Sequence, residues 1–243
     1  MNTPTGKLYG IGVGPGDPEL MTLKAARVLS EVDVVYAAAS TKNDYSLAVN
    51  VARAHIPDTT PVIHMAFPMT HDQGQTSVFW RENALTMVAA LQNGRNAAFL
   101  TLGDPMTYST FGYLLKNIRA IAPEIEVETV PGVTSYQASA ARLNTPLVEG
   151  EESLLITSGV KGGDRFRSLG GKPENVVFLK AYRNVGDITS ALQEADMLGT
   201  SVGVSHICLP EEEILTDIRE LASRKPGYWT LIIAKHRNGK SPA

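Results

Sequence analysis

The sequence predicts an α/β protein built as two α/β domains with a cleft between them, the second sheet mixed. Three observations predict it. Short apolar runs alternate with amphipathic segments along the whole 243 residues, the pattern of strands feeding helices. The first apolar run opens directly into a glycine- and proline-rich loop and then a helical stretch, which is how α/β proteins build a ligand crevice. The last strand-like runs lie close together in sequence, so part of the second sheet is antiparallel or mixed. The length alone fits one large domain or two small ones. The joint is placed near Ile121-Ala122-Pro123-Glu124, giving domains 1–121 and 122–243; it is short, so the halves pack closely.

Strands are expected at Leu8 to Gly12, Asp33 to Ala38, Val62 to Ala66, Ala97 to Leu102, Glu126 to Val130, Ser153 to Thr157, Val176 to Lys180, Ser201 to Ile207 and Trp229 to Lys235. Helices are expected at Leu20 to Val32, Tyr45 to Ala54, Thr76 to Gln92, Phe111 to Ile121, Ser135 to Leu143, Ile188 to Leu198 and Glu211 to Arg224. Thr22 signs the start of the first helix, and Asp187 precedes the stripe Ile188, Ala191, Leu192, Ala195. The segment Gly159-Val160-Lys161-Gly162-Gly163-Asp164-Arg165 reads as a flexible lid or a disordered loop.

Composition excludes several classes. Hydrophobic content of 43% supplies a packed core, and a net charge of -3 carries no basic excess of the nucleic-acid-binding kind. The single Cys208 excludes an internal disulfide and fits a reducing compartment. The N-terminus lacks a signal-peptide core, and no apolar run approaches the ~20 residues of a membrane span. The expectation is a cytoplasmic protein with no membrane or nucleic-acid partner.

Chemistry concentrates in three loops. Gly10-Ile11-Gly12-Val13-Gly14-Pro15-Gly16-Asp17-Pro18 combines positive-φ freedom with proline stiffness. It fails the dinucleotide fingerprint, because Pro15 or Asp17 stands where the third glycine belongs, and it lacks the Gly-Lys-Ser/Thr ending of a phosphate loop. The second loop, Leu100 to Thr110 with Leu102-Gly103-Asp104-Pro105-Met106-Thr107 at its centre, sits at the carboxyl end of a buried strand; Gly103 admits a ligand to the backbone and Asp104 accepts hydrogen bonds, unless the aspartate only caps a turn. The third, Val130-Pro131-Gly132-Val133-Thr134-Ser135, runs from a strand into a small-residue helix start, where Thr134 or Ser135 either caps the helix or faces a ligand.

In this order, Gly14-Pro15-Gly16-Asp17, Leu102-Gly103-Asp104-Pro105 and Val130-Pro131-Gly132-Val133-Thr134 resemble the signature of the tetrapyrrole methylase family, from Leu8 to about Lys235. Four further stretches are similar to the subgroup that methylates C20 of precorrin-2 or its cobalt form, cobalt-factor II, in cobalamin synthesis. They are Asp104 to Phe111, Ser135 to Leu143, Val177 to Asn184 and Leu209-Pro210-Glu211-Glu212. The resemblance implies two α/β domains, a homodimer, and S-adenosylmethionine bound folded at the domain junction. By motif, the cofactor contacts it implies are Pro15, Leu102, Gly103, Asp104, Thr107, Thr134 and Ser135, with later contacts at Leu179, Tyr182, Cys208 and Leu209.

The implied reaction needs mainly positioning, because the sulfonium methyl is already activated and a reduced tetrapyrrole is electron-rich. A proton must still leave the acceptor carbon. Asp104 is the catalytic candidate, orienting the macrocycle or assisting that proton; the alternative is that it only shapes the cofactor loop. The substrate's carboxylates need cations: Arg142, Lys180 and Arg183 sit in matched segments, and Lys42, Arg53, Arg81, Lys161 and Arg165 are further candidates. Met65, Met69 and Met106 line the macrocycle or fill core. The five histidines show no metal spacing, and His206 with Cys208 on one strand face does not make a metal site, so any cobalt arrives within the substrate. Competing classes are a family member acting at another ring position or on diphthine or ribosomal RNA, a nicotinamide-dependent oxidoreductase, and a non-catalytic binding protein.

Overall fold

The computed structural model describes residues 4–39, 46–67, 73–169, 173–224 and 226–236. Two compact units divide the chain, Met1–Thr134 and Ser135–Ala243. The first holds β1 (Leu8–Gly12), α1 (Leu23–Glu31), β2 (Val34–Ala39), α2 (Leu47–Ala52), β3 (Val62–Ala66), α3 (Gln73–Gln92), β4 (Ala97–Thr101), α4 (Thr110–Ile121) and β5 (Val127–Val130). The second holds α5 (Ser135–Arg142), β6 (Leu154–Ser158), α6 (Asp164–Ser168), β7 (Asn175–Leu179), α7 (Val185–Glu194), β8 (Ser201–Ser205), β9 (Glu213–Leu215), α8 (Arg219–Arg224) and β10 (Thr230–Lys235).

In the first unit five strands run in the order β3-β2-β4-β1-β5, all pairings parallel. Their near-continuous apolar runs suit a sheet covered on both faces. Phe99 with Ala97 packs under Met87, Leu91, Phe111 and Leu114 on one side. Ala98 and Leu100 pack with Ala25, Val28, Leu29 and Ala52 on the other. The helix after β1 thus covers one face and the helix after β4 the opposite face, which makes the gap between these adjacent strands a topological switch point. The Thr22 hydroxyl accepts from the Ala25 amide at 3.2 Å and caps α1 as its sequence position predicts.

The second unit is a mixed sheet, β6-β7-β10-β8-β9, parallel only between β6 and β7. Phe166, Phe178, Ile188, Leu192, Ile218, Leu221 and Ile232 form its core on the face carrying α6, α7 and α8.

Several expectations need correction. The joint anticipated at residues 121–124 falls inside the first unit, because β5 adds to the edge of that sheet beside β1. Glu211 to Arg224 is not one helix: Glu213–Leu215 pairs antiparallel with β8, and only Arg219–Arg224 is helical, so sheet pairing overrides a helix-like composition. Asp187 lies within the first turn of α7, which begins at Val185 after Asn184; there its carboxylate accepts from the Gly163 amide at 2.7 Å and from Arg167 at 2.9 Å. The segment expected to be a lid is packed instead: Gly159–Lys161 forms a 3-10 turn, α6 follows, and a Cβ on Gly159 would come within 3.1 Å of the Ala181 backbone. No helix among the described residues is long and apolar enough to cross a membrane.

Candidate functional site

The three glycine loops leave the carboxyl ends of β1, β4 and β5, and they interlock. Gly14 and Gly103 exchange backbone hydrogen bonds, Gly14 N to Gly103 O at 3.3 Å and Gly103 N to Gly14 O at 2.7 Å. A Cβ on Gly132 would lie 2.2 Å from the Gly103 carbonyl oxygen and 2.8 Å from the Gly12 carbonyl carbon. A Cβ on Gly12 would lie 2.5 Å from the same Gly103 oxygen. Backbone meets backbone here, so neither position has room for a side chain. Gly103 differs: its φ is +71°, yet an added Cβ meets nothing within 4 Å. Its α-carbon therefore looks onto open space, where a ligand can approach the chain.

Asp104 ties two of these loops together. One carboxylate oxygen accepts from the Met106 amide at 2.9 Å and the Thr107 hydroxyl at 3.3 Å; the other accepts from the Gly132 amide at 3.2 Å. Of the roles open to it from sequence, this geometry matches loop shaping. Pro15 is buried within the first loop, and Leu102, Thr107 and Ser135 are half-buried. Thr134 is buried at the last position of the first unit. At the end of β4 lies a feature the sequence did not single out: the Thr101 hydroxyl is buried and has no hydrogen-bond partner among the described residues.

In the second unit the later candidates gather at one end of the sheet. β7 ends at Leu179 and β10 starts at Thr230, antiparallel neighbours, while β8 ends at Ser205 on the other side of β10. Ala181 N donates to Thr230 O at 2.8 Å and His206 N to Trp229 O at 3.1 Å, so the loops after β7 and β8 both fasten to the start of β10. Lys180, His206 and Cys208 all have positive φ, 58°, 52° and 61°, which is uncommon for residues with a Cβ and concentrates at functional sites. β8 stops before His206, so His206 and Cys208 do not share a strand face. Leu179 is buried; Tyr182 and Leu209 are half-buried.

The cations divide into paired and unpaired. Arg142 is committed to Glu212, Nε to Oε1 at 2.6 Å, and the other Glu212 oxygen accepts from the Cys208 amide at 3.0 Å. The Arg142 guanidinium first, and the Cys208 amide second, hold the Glu212 carboxyl below the usual carboxylate range. Arg142 therefore anchors the loop after β8 and already has its carboxylate. Arg53 is likewise paired, with Asp58 at 2.9 Å. Lys180 and Arg183 meet no carboxylate among the described residues; they stand on aromatic rings instead. The Lys180 ammonium is 5.3 Å from the Tyr228 ring centre, and the Arg183 guanidinium 5.1 Å from that of Tyr182. Arg81, Lys161 and Arg165 are exposed, and Lys42 and Met69 lie outside the described residues. Met65 is core and Met106 is exposed.

Tyr228 and Trp229 escaped the sequence reading. The available signal was two aromatics placed just before the last strand. No cluster of three or more potential metal ligands occurs among the described residues.

A family model described as tetrapyrrole (corrin/porphyrin) methylases matches residues 7–222. A cobalt-precorrin-2 C(20)-methyltransferase of Salmonella typhimurium is 34% identical over 229 residues, 94% of this chain and 95% of the relative. A probable cobalt-precorrin-2 C(20)-methyltransferase of Methanocaldococcus jannaschii is 36% identical over 196 residues, 81% of each. Among solved structures, uroporphyrin-III C-methyl transferase of Thermus thermophilus complexed with S-adenyl homocysteine matches with a TM-score of 0.68 and 27% identity, covering 95% of this chain and 92% of that one.

Proposed function

The chain belongs to the tetrapyrrole (corrin/porphyrin) methylase family, and from that membership we propose that it is an S-adenosylmethionine-dependent C-methyltransferase acting on C20 of precorrin-2 or its cobalt-bearing form in cobalamin synthesis. The observation that carries this reading is the match to two relatives named for that C20 reaction, at 34% and 36% identity over most of the chain.

The residues present fit the donor. Gly103 offers open backbone beside Gly12 and Gly132, which are closed by their own packing. The solved Thermus enzyme, related in sequence as well as fold, holds the demethylated donor. When bound, S-adenosylmethionine supplies a methyl group already activated on sulfonium. The residues proposed for it by family motif are Pro15, Leu102, Gly103, Asp104, Thr107 and Thr134 among those of the first unit, and Ser135, Leu179, Tyr182, Cys208 and Leu209 among those of the second. Asp104 serves through the loops it ties rather than as a free base: each of its oxygens already accepts a backbone amide. Lys180 and Arg183, lacking carboxylates of their own, take the acidic substituents of the tetrapyrrole. Catalysis by such a site is alignment, with reacting atoms brought to ~3–3.5 Å. Cobalt, where present, belongs to the substrate.

We infer a homodimer in the cytoplasm. Exposed Val78 and Leu85 on α3 and Tyr113 on α4 supply apolar surface for a second copy, and light scattering coupled to gel filtration reads the stoichiometry.

The test is anaerobic incubation with methyl-labelled S-adenosylmethionine, offering precorrin-2 and cobalt-factor II separately. Mass spectrometry counts added methyls and NMR places them. One methyl at C20 is expected, and the preferred substrate names the branch. A methyl at another ring position, or no transfer despite tight binding of the demethylated donor, rejects the C20 assignment.

A further inference from the structure

Lys180 adopts a backbone conformation that a glycine or asparagine would hold more comfortably, and it does so at the mouth of β7. A long charged side chain in the left-handed region persists where its surroundings over-determine it. The surroundings are visible. The Tyr228 ring meets two others edge to face, Tyr182 at 5.4 Å inclined at 63° and Trp229 at 5.0 Å inclined at 85°, and these contacts brace it. The Lys180 ammonium lies over that braced ring. Arg183 lies over the second ring of the same row.

A cation over an aromatic face is held in place without being neutralised. That distinguishes this pair from most other cations described in the second unit. Arg142, Arg167, Arg219, Arg224 and Lys235 each meet a carboxylate within 4.0 Å. Lys161 and Arg165 also meet no carboxylate among the described residues, but neither stands on a ring there. Lys180 is half-buried, so its charge is both confined and unspent.

We propose that Tyr228, braced by Tyr182 and Trp229, is a positioning residue that holds the Lys180 ammonium for one carboxylate of the tetrapyrrole substrate. This deepens, and rests on, the methyltransferase reading above. The group recognised is a carboxylate; the donor's amino-acid end carries one as well, and the experiment separates the two sources.

Four variants suffice: Tyr228→Leu removes the ring, Tyr228→Phe keeps it, Lys180→Met keeps the stem without the charge, and the Tyr228→Leu/Lys180→Met double variant removes both. Each is measured for the KM of precorrin-2, for binding of its air-stable oxidised form by fluorescence titration, and for the Kd of S-adenosylhomocysteine by calorimetry. Tyr228→Leu and Lys180→Met should each raise KM and the oxidised-tetrapyrrole Kd roughly tenfold, with kcat within twofold. The S-adenosylhomocysteine Kd should stay within twofold, and Tyr228→Phe should behave as the parent protein. The double variant should be no worse than Lys180→Met alone, because the ring acts through the ammonium. Equal loss for both ligands, loss confined to S-adenosylhomocysteine, multiplying single effects or an unmoved tetrapyrrole affinity would each overturn the proposal. A parent protein that binds the oxidised tetrapyrrole through this pair yet transfers no methyl leaves the role of Tyr228 and Lys180 standing and rejects the C20 assignment.

Discussion

Replacing Asp104 by alanine should weaken the protein and its donor site together. The substitution strips the acceptor from two backbone amides, Met106 and Gly132, and from the Thr107 hydroxyl. Partly solvated amides that lose an acceptor cost roughly 1 kcal/mol each, and the hydroxyl adds less, so the sum is about 2–3 kcal/mol. For a unit of this size that lowers the thermal midpoint by about 5–10 °C. The larger effect is on geometry. The Gly132 bond is the tie between the second and third loops, and a displacement of ~1 Å in a positioning site costs on the order of 100-fold in rate. S-adenosylhomocysteine affinity, methyl transfer and thermal midpoint should therefore fall together, and Asp104→Asn, which keeps one acceptor oxygen, should lie between. A variant with parental stability and donor affinity but no transfer would refute the loop-tie reasoning and make Asp104 the proton acceptor. A fully active variant would remove it from the site.

Two glycines of the crevice should respond in opposite ways. Gly132→Ala forces a Cβ to within 2.2 Å of a backbone oxygen that cannot move independently, so the chain should fail to fold or lose donor binding altogether, as read by circular dichroism and calorimetry. Gly103→Ala meets open space and pays only for its positive φ, about 1 kcal/mol, so it should fold while losing affinity for S-adenosylhomocysteine. Acid sensitivity should track Glu128, whose carboxyl is held down to about 2 by Lys24 and then Lys7. A depressed folded-state pKa gives stability that is complete above the usual carboxylate range and is lost as pH falls toward 2. Glu128→Gln should flatten that part of an acid unfolding curve at low salt, and 1 M salt should erase the difference, since the pair is solvent-facing. Arg142→Ala and Glu212→Gln should each loosen the loop after β8 by similar amounts, and the double variant should be little worse than either, as hydrogen exchange at Cys208 would register.

The first sheet was legible because most of its strands are short apolar runs bounded by turn residues, and Leu8–Gly12 and Val62–Ala66 match the expectation residue for residue. Periodicity fails where pairing decides. Glu213-Ile214-Leu215 has nothing strand-like in composition beyond two apolar residues, and becomes β9 only because β8 presents an edge. The glycine loops announced a crevice, but their spacing does not reveal that Gly12, Gly103 and Gly132 touch, since those contacts join residues about 30 to 120 positions apart. Asp104 was visible as a polar residue in a tight loop; that its two oxygens belong to different loops was not. Tyr228 was hidden for the same reason: its partners are Lys180 and Tyr182, brought beside it only by the antiparallel pairing of β7 with β10.

The mutual contact of Gly12, Gly103 and Gly132 also bears on how such a site can diversify. A side chain at Gly12 or Gly132 strikes main chain from another strand, so no single neighbouring substitution relieves it, and the route to a changed crevice floor runs through nonviable intermediates. Drift is confined to side chains that leave the floor untouched, such as exposed Met106 and Tyr108 in the loop above it. New acceptor preferences would then arise by exchanging these outward residues over an unchanging glycine base, one step at a time.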